Sequence, residues 1–205
     1  MAELADPAVL AALERGFGPG AERARRYAAL LVTAGIERGL IGPREADRVW
    51  ARHVFNSASL AALIAPRARV VDLGSGAGLP GIPLALARPD LTVVLVEPMA
   101  RRVGFLRECV AALELTTVTI HYGRAPDDVP GGDVVVARAV AALPALAGMA
   151  LTGVNRRAEL LALKGATVGR EVSALAAQGG FDVDVVELTD PLGASATVAR
   201  VRRAR

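Results

Sequence analysis

Cysteine is almost missing from this 205-residue chain, where Cys109 stands alone. That excludes an internal disulfide and any metal site built on a cysteine cluster. Aromatic residues make up only 3%, too few for a platform on which single-stranded bases would stack. No apolar run approaches the ~18 uncharged residues that a membrane helix requires. The opening stretch MAELADPAVLAALERGFG carries Glu3, Asp6 and Glu14 and has no basic start, so it does not read as a secretory signal. The expected compartment is cytoplasmic, with no membrane and no metal among the partners. Lysine is the last shortage: of 24 basic residues only Lys164 is a lysine and the rest are arginine. A net charge of +3 and a pI near 9.7 permit a nucleic-acid partner without requiring one.

What is present is 53% hydrophobic, enough for a full core at this length. Residues 1–66 read as a helical N-terminal extension or lid. Asp6 is an N-cap candidate with Pro7 at the first helical position. A third helix begins at Pro43 and spaces Val49, Trp50, Val54, Leu60 and Leu63 in an apolar stripe. Residues 67–205 alternate strands with helices, the pattern of βαβ units and a parallel sheet. Strands are expected over 68–74, 92–97, 117–123, 133–138, 159–165, 181–188 and 196–203, with helices over 80–87, 101–115, 143–152 and 168–178. The last two strands are joined only by TDPLGAS, too short for a parallel crossover, and so form an antiparallel hairpin. This α/β arrangement, a Rossmann-like sheet of seven strands closed by a hairpin, is that of a class I methyltransferase dependent on S-adenosylmethionine.

The first strand runs into a glycine-rich turn and a helix, VVDLGSGAGLPGIPLALA, where α/β proteins hold nucleotide-like cofactors. Gly76, Gly78 and Gly81 match the dinucleotide pattern, but they begin two residues late. Pro80 and Pro83 remove two amide donors, and Asp72 would repel a pyrophosphate. S-adenosylmethionine carries no phosphate, and its methionine end presents an ammonium and a sulfonium that Asp72 would attract. Gly74, Gly76 and Gly78 let the backbone approach such a ligand. Glu97 ends the second strand, about 20 residues beyond the glycines, where a carboxylate accepts from ribose hydroxyls. That placement serves NAD as well, and a dinucleotide oxidoreductase stays open on Glu97 alone.

The acceptor is narrowed by what the chain lacks. Methylation at pyrimidine C5 needs a cysteine nucleophile, and Cys109 sits mid-helix as a packing residue. Adenine amino methylation commonly uses an Asn/Asp-Pro-Pro-aromatic turn after the fourth strand, where this chain has Ala137-Arg138-Ala139. An arginine there cannot act as a base, though it can hold a phosphate or meet a guanine edge. Guanine N7 is already nucleophilic and bears no proton, so Arg138 and Lys164 at neighbouring strand ends, without a general base, suit it.

VVDLGSGAGLPGIPLALARPD, VEPMARRVGFLRE, VVVARAVAAL, LLALKG and RHVFNSASL together resemble the bacterial 16S ribosomal RNA guanine-N7 methyltransferases, the glucose-inhibited division protein B family. The resemblance runs from about Glu37 to Gly165, and its most specific part is Gly78-Leu79-Pro80-Gly81-Ile82-Pro83. It implies a cofactor pocket around Gly74, Leu79, Glu97, Ala125, Pro126 and Arg138 with S-adenosylmethionine as donor. It also implies an acceptor in 16S ribosomal RNA, met as RNA, as the 30S subunit or as an assembly intermediate. Two places differ: ERGLIGPRE stands where the family usually has Asn-Leu-Thr, and Ala125-Pro126-Asp127 where it often has Val-Glu-Glu.

The resemblance raises His53 from a helix-surface histidine to a residue facing the acceptor, beside Arg138 and Lys164. Asn56 and Ser57 are either local caps or polar groups facing the same way. His121 reads as structural, while Arg101 and Arg102 either contact phosphate or solvate a helix start. Arg23, Arg25, Arg26, Arg200, Arg202, Arg203 and Arg205 are candidates for an RNA-facing surface, each more simply a solvated side chain. A small-molecule methyltransferase and a non-catalytic S-adenosylmethionine-binding module remain alternatives, and a monomer is the expected state.

Overall fold

The computed structural model describes residues 6–204; Glu3 and Arg205, both noted in the sequence, lie outside them. Seven strands form one sheet: β1 (Arg69–Leu73), β2 (Thr92–Glu97), β3 (Val118–Tyr122), β4 (Val134–Arg138), β5 (Glu159–Lys164), β6 (Phe181–Thr189) and β7 (Ser195–Arg203). Their spatial order is β3-β2-β1-β4-β5-β7-β6. The first five run parallel, and β7 enters antiparallel to both β5 and β6. The expected hairpin is therefore present. The order reverses beside β1, whose neighbours are β2 and β4, and the crevice outside that reversal is where open α/β sheets bind ligands.

The central strands read VVDL, VVLV and VVVA because both faces of the sheet are covered. Alternate residues divide between two cores. Val70, Val93, Leu95 and Val136 join the core under the N-terminal helices, α4 (Gly81–Ala87) and α5 (Ala100–Ala112). Val71, Val94, Val96 and Val135 face α6 (Leu143–Leu151) and α7 (Val168–Gln178). Helix α4, GIPLALA, has no polar face, because it lies between the sheet and the helical extension.

The extension shares that core. Helix α1 (Pro7–Phe17) starts where the Asp6 side chain accepts from the Ala8 amide at 2.8 Å, and Gly18 ends it with a positive φ. It buries Val9, Ala12, Leu13 and Phe17, and α2 (Ala21–Leu30) buries Tyr27 completely. Between them Gly20 lies so close to α4 that a Cβ would sit 2.4 Å from the Leu86 carbonyl oxygen.

The segment expected as one helix from Pro43 is instead broken. Pro43–Arg48 is wound as a 3-10 helix and Val49–Phe55 as a π-helix, followed by one α turn, α3 (Asn56–Ala58), and a second 3-10 stretch, Ser59–Leu63. The physical reason lies in its burial. His53, Val54 and Phe55 are buried in succession, with Val49 and Trp50 before them, more than one stripe of a 3.6-residue helix can turn inward. Trp50 packs on Phe55 with ring centroids 5.5 Å apart.

Replacing Gly20 by alanine would force the α1–α2 corner off α4. We expect Gly20→Ala to destabilise the protein by about 1–3 kcal/mol, the usual cost of overpacking. The denaturant midpoint for loss of the tryptophan signal should fall together with that for loss of helical circular dichroism. Separate transitions would show that the extension folds independently of the sheet.

Candidate functional site

The turn after β1 is fixed at the strand ends by its own backbone. Gly74 and Ser75 donate to the Val96 carbonyl at 2.9 and 3.1 Å, and Gly78 and Leu79 donate to that of Ser75 at 2.7 and 3.0 Å. Gly74, Gly76 and Gly78 all have positive φ, which side chains disfavour. A Cβ on Gly78 would also meet the Ile82 side chain at 2.4 Å. From the extension, the Tyr27 hydroxyl donates to the Ala77 carbonyl at 2.8 Å.

Two carboxylates complete this scaffold, and both are wholly buried. Asp72 Oδ2 accepts from the Gly81 amide at 3.0 Å, beneath the turn, while Oδ1 has no partner. Glu97 Oε2 accepts from Gly76 at 2.9 Å, Oε1 accepts from Met99 at 3.0 Å, and Arg102 stands 3.7 Å away. Burial pushes the Asp72 carboxyl up to about 7; the Glu97 charge adds to this, and the Gly81 amide and Ser75 hydroxyl oppose it. An acid in this state gains from a nearby cation.

Beside the turn lies a cleft of about 670 Å³ lined by Arg52, Asn56, Arg138, Val140, Lys164 and Glu171 among others. Val140 joins it to the turn, since a Cβ on Gly74 would lie 2.9 Å from the Val140 side chain. Arg138 Nη2 and His53 Nδ1 are 2.6 Å apart, and His53 Nε2 lies 3.0 Å from Glu45 Oε2, which Arg52 Nε approaches to 3.2 Å. A guanidinium only donates, so Nδ1 accepts and the ring proton sits on Nε2, toward Glu45. Burial and the Arg138 charge lower the His53 pKa to about 4 against the pull of Glu45, leaving the imidazole neutral. The second arginine nitrogen, Nη1, is buried and unpartnered.

Lys164 lies at the same cleft, but its ammonium is engaged. It donates to the Ala141 carbonyl at 2.9 Å and to Glu171 Oε2 at 2.7 Å. Burial would raise the Glu171 pKa, yet bonds from Lys164, the Leu143 amide and Thr167 outweigh it and hold the carboxyl below its usual range. Asn56 lines the cleft, while Ser57 is buried with its hydroxyl unpartnered. Leu79 is buried in the turn. Ala125 and Pro126 occupy a surface turn after β3, which His121 braces by a 2.7 Å contact with Asp128. Arg101 is exposed; Arg25 pairs with Glu22, Arg26 donates to the Ala112 carbonyl, and Arg200 holds Glu159.

Glu45, Arg52, Glu171 and Tyr27 were not singled out by the sequence. Glu45 and Glu171 follow no motif spacing to the partners they hold, eight and seven positions away on other turns. The pairing Arg52-His53 beside a buried stripe was the one available signal for this segment.

A family model described as GidB, rRNA small subunit methyltransferase G, matches residues 21–191. A curated relative from Mycobacterium sp. (strain JLS), named ribosomal RNA small subunit methyltransferase G, is 48% identical over 201 residues, covering 93% of this chain and 89% of the relative. One of the same name from Frankia alni is 50% identical over 190 residues, covering 88% and 72%. Among solved structures, precorrin-6y C5,15-methyltransferase from Geobacter metallireducens superposes with a TM-score of 0.52 at 17% identity, over 80% of this chain and 91% of that one. P. horikoshii TYW2 in complex with MeSAdo gives 0.56 at 19%, over 73% and 62%. With the seven-stranded sheet, these neighbours establish the class I methyltransferase fold.

The raised Asp72 pKa has a stability consequence. From about pH 4, the unfolded value, to about pH 7 the folded protein holds a proton that the unfolded chain has released. The contribution of Asp72 is therefore full below pH 4 and lost as pH rises through 7. His53 acts oppositely between its folded value near 4 and its unfolded value near 6.5, so the wild-type curve sums two opposed terms. Comparison with Asp72→Asn isolates the first: the variant should gain on the wild type steadily from pH 4 to 7 in denaturant midpoint. Parallel curves would mean that Asp72 titrates normally.

Proposed function

The chain belongs to the family of rRNA small subunit methyltransferases G, and from that premise we propose that it methylates N7 of a guanine in 16S ribosomal RNA, with S-adenosylmethionine as donor. The donor supplies an electrophilic methyl group on a sulfonium. The residues at the switch point fit such a ligand: a buried carboxylate with a free oxygen, a turn of open backbone, and prolines where a phosphate site needs amides. Asp72 supplies the negative potential beneath the methionine end. Glu97, at the end of β2, accepts from the ribose with the lone pairs left by Gly76 and Met99. Gly74, Gly76, Gly78 and Leu79 provide close backbone, and the Ala125-Pro126 turn borders the adenine.

The observation that carries the acceptor assignment is the absence of a poised base among the described residues lining the cleft. Glu171, its one carboxylate, is consumed by Lys164, Leu143 and Thr167. The free lone pair of His53 is spent on Arg138. An acceptor that must lose a proton would find no group to take it. Guanine N7 brings a lone pair and loses none: the N7–C bond forms as the S–C bond breaks, and the purine takes up the positive charge. What the protein must provide is alignment and a polar contact. Arg138, held by His53, turns its guanidinium toward guanine O6, and the Lys164–Glu171 pair fixes the wall that Val140 and Ala141 form beside it. The substrate is the ribosomal RNA itself or its 30S particle, approached by a monomer.

The test is transfer of label from tritiated S-adenosylmethionine to 30S subunits or bare 16S RNA from cells lacking the gene. We expect labelled RNA that aniline cleaves at one guanine. Donor binding without labelled RNA would reject the acceptor and favour a small-molecule substrate or a non-catalytic binder. Arg138→Gln should slow single turnover roughly 100-fold, as loss of one pre-aligned donor does, and leave donor affinity nearly intact. Glu97→Gln should do the reverse, weakening donor binding about tenfold or more by equilibrium dialysis.

A further inference from the structure

At the opposite end of the sheet from the cleft lies a concavity that the reaction does not use. It spans about 1050 Å³ and is lined by Val154, Arg156, Arg157, Ala158, Arg202, Arg203 and Ala204. Four of these seven are arginines and none is acidic, in a chain whose 24 basic and 21 acidic residues nearly balance. Arg203 is anchored by the Asn155 and Arg156 carbonyls, each at 3.1 Å, and Arg202 by Glu159 and Asp184, each at 3.3 Å. Arg156 and Arg157 are exposed and have no side-chain partner among the described residues. They also line a second hollow of about 350 Å³ with Asp133 and Asn155, so the Arg156-Arg157 step is a ridge between two depressions.

The location is set by topology. Arg156 and Arg157 precede β5, and Arg202 and Arg203 end antiparallel β7, so all four gather at the foot of the strands. Arg138 and Lys164 close the other ends of β4 and β5. The length of β5 separates the two places by roughly 17 Å. Two arginines held by the backbone and by carboxylates, beside two without partners, form a cationic concavity that can follow a polyanion. Arginine suits phosphate by its planar fork of donors.

We propose that this arginine groove is a second RNA-binding surface, holding the phosphate backbone of a ribosomal RNA segment distant in space from the guanine in the cleft. This rests on the ribosomal RNA reading above. Its chemistry is sequence-independent and salt-sensitive, and it gives orientation on a large folded RNA that the cleft alone cannot.

The experiment compares wild type with Arg156→Gln/Arg157→Gln, a pair whose side chains support nothing else in the fold. Binding to bare 16S RNA is measured directly across a salt series, apart from turnover, alongside methylation of 30S subunits. We expect RNA affinity near physiological salt to fall roughly tenfold and the salt slope to shrink by about 1.5, near 0.7–0.9 per lost phosphate contact. The KM for subunits should rise while S-adenosylmethionine affinity and the thermal midpoint stay unchanged. An unaltered slope and KM would overturn the groove. So would a loss seen with 30S particles and not with bare RNA, which would assign it to an acidic protein partner. Were wild type to bind RNA with the expected slope but label none, the groove would stand and the methylation reading would fall. Were wild type to bind no RNA, both would fall.

Discussion

Two buried carboxylates hold one backbone turn, and the site is organised around that grip. Asp72 takes the Gly81 amide from below and Glu97 takes the Gly76 amide from the side. Asp72 lies one residue before the end of β1 and Glu97 ends β2, so the turn is located by the sheet rather than by its own glycines. The arrangement is costly in isolation, because the two charges raise each other's energy in a dry interior and one Asp72 oxygen is left unpaired. A cation placed beside Asp72 would remove that cost, so on the proposed reading donor binding and local stability are two expressions of one electrostatic fact.

The helical extension is part of the same device. Tyr27 reaches from α2 to the turn's Ala77 carbonyl, and α4 is buried on every side between the extension and the sheet. The broken segment from Pro43 then brings Glu45, Arg52, His53 and Asn56 over the end of β4, where Arg138 waits for the His53 ring. The glycine turn is thus held by strands β1 and β2, and the cleft beside it is built by β4, β5 and a segment outside the strand–helix alternation. Val140 is the seam between them.

Much of this was readable in advance. The seven strands were, because VVDL, VVLV and VVVA are too apolar for anything but a sheet covered on both faces, and a seven-residue link forces the final hairpin. The glycine turn and its two acids were readable because strand, glycines and helix occur in that order with an acid at each strand end. The broken helix was not, since its apolar stripe looks regular and only burial of three consecutive residues reveals the change of winding. The place of Asp72 before the glycines was readable, but that its carboxylate lies under the turn and accepts from Gly81 was not; a one-letter pattern carries no depth. Lys164 drew notice by rarity, but its engagement with Glu171 depends on where α7 begins relative to β5, and helix placement is a tertiary outcome. The Arg138–His53 contact joins residues 85 positions apart, and no local pattern encodes it.

The division between turn and cleft has a corollary for specificity. The groups that grip the turn lie on the first two strands, whereas Arg52, Asn56 and the His53 that holds Arg138 ride on one short, irregularly wound stretch of chain. On the proposed reading, exchanges at Arg52 or Asn56 alter which substrate is admitted without disturbing the carboxylates beneath the turn. A scaffold arranged in this way keeps the choice of target apart from the source of methyl groups, while burial of Val49, Trp50, Val54 and Phe55 holds the irregular stretch in place.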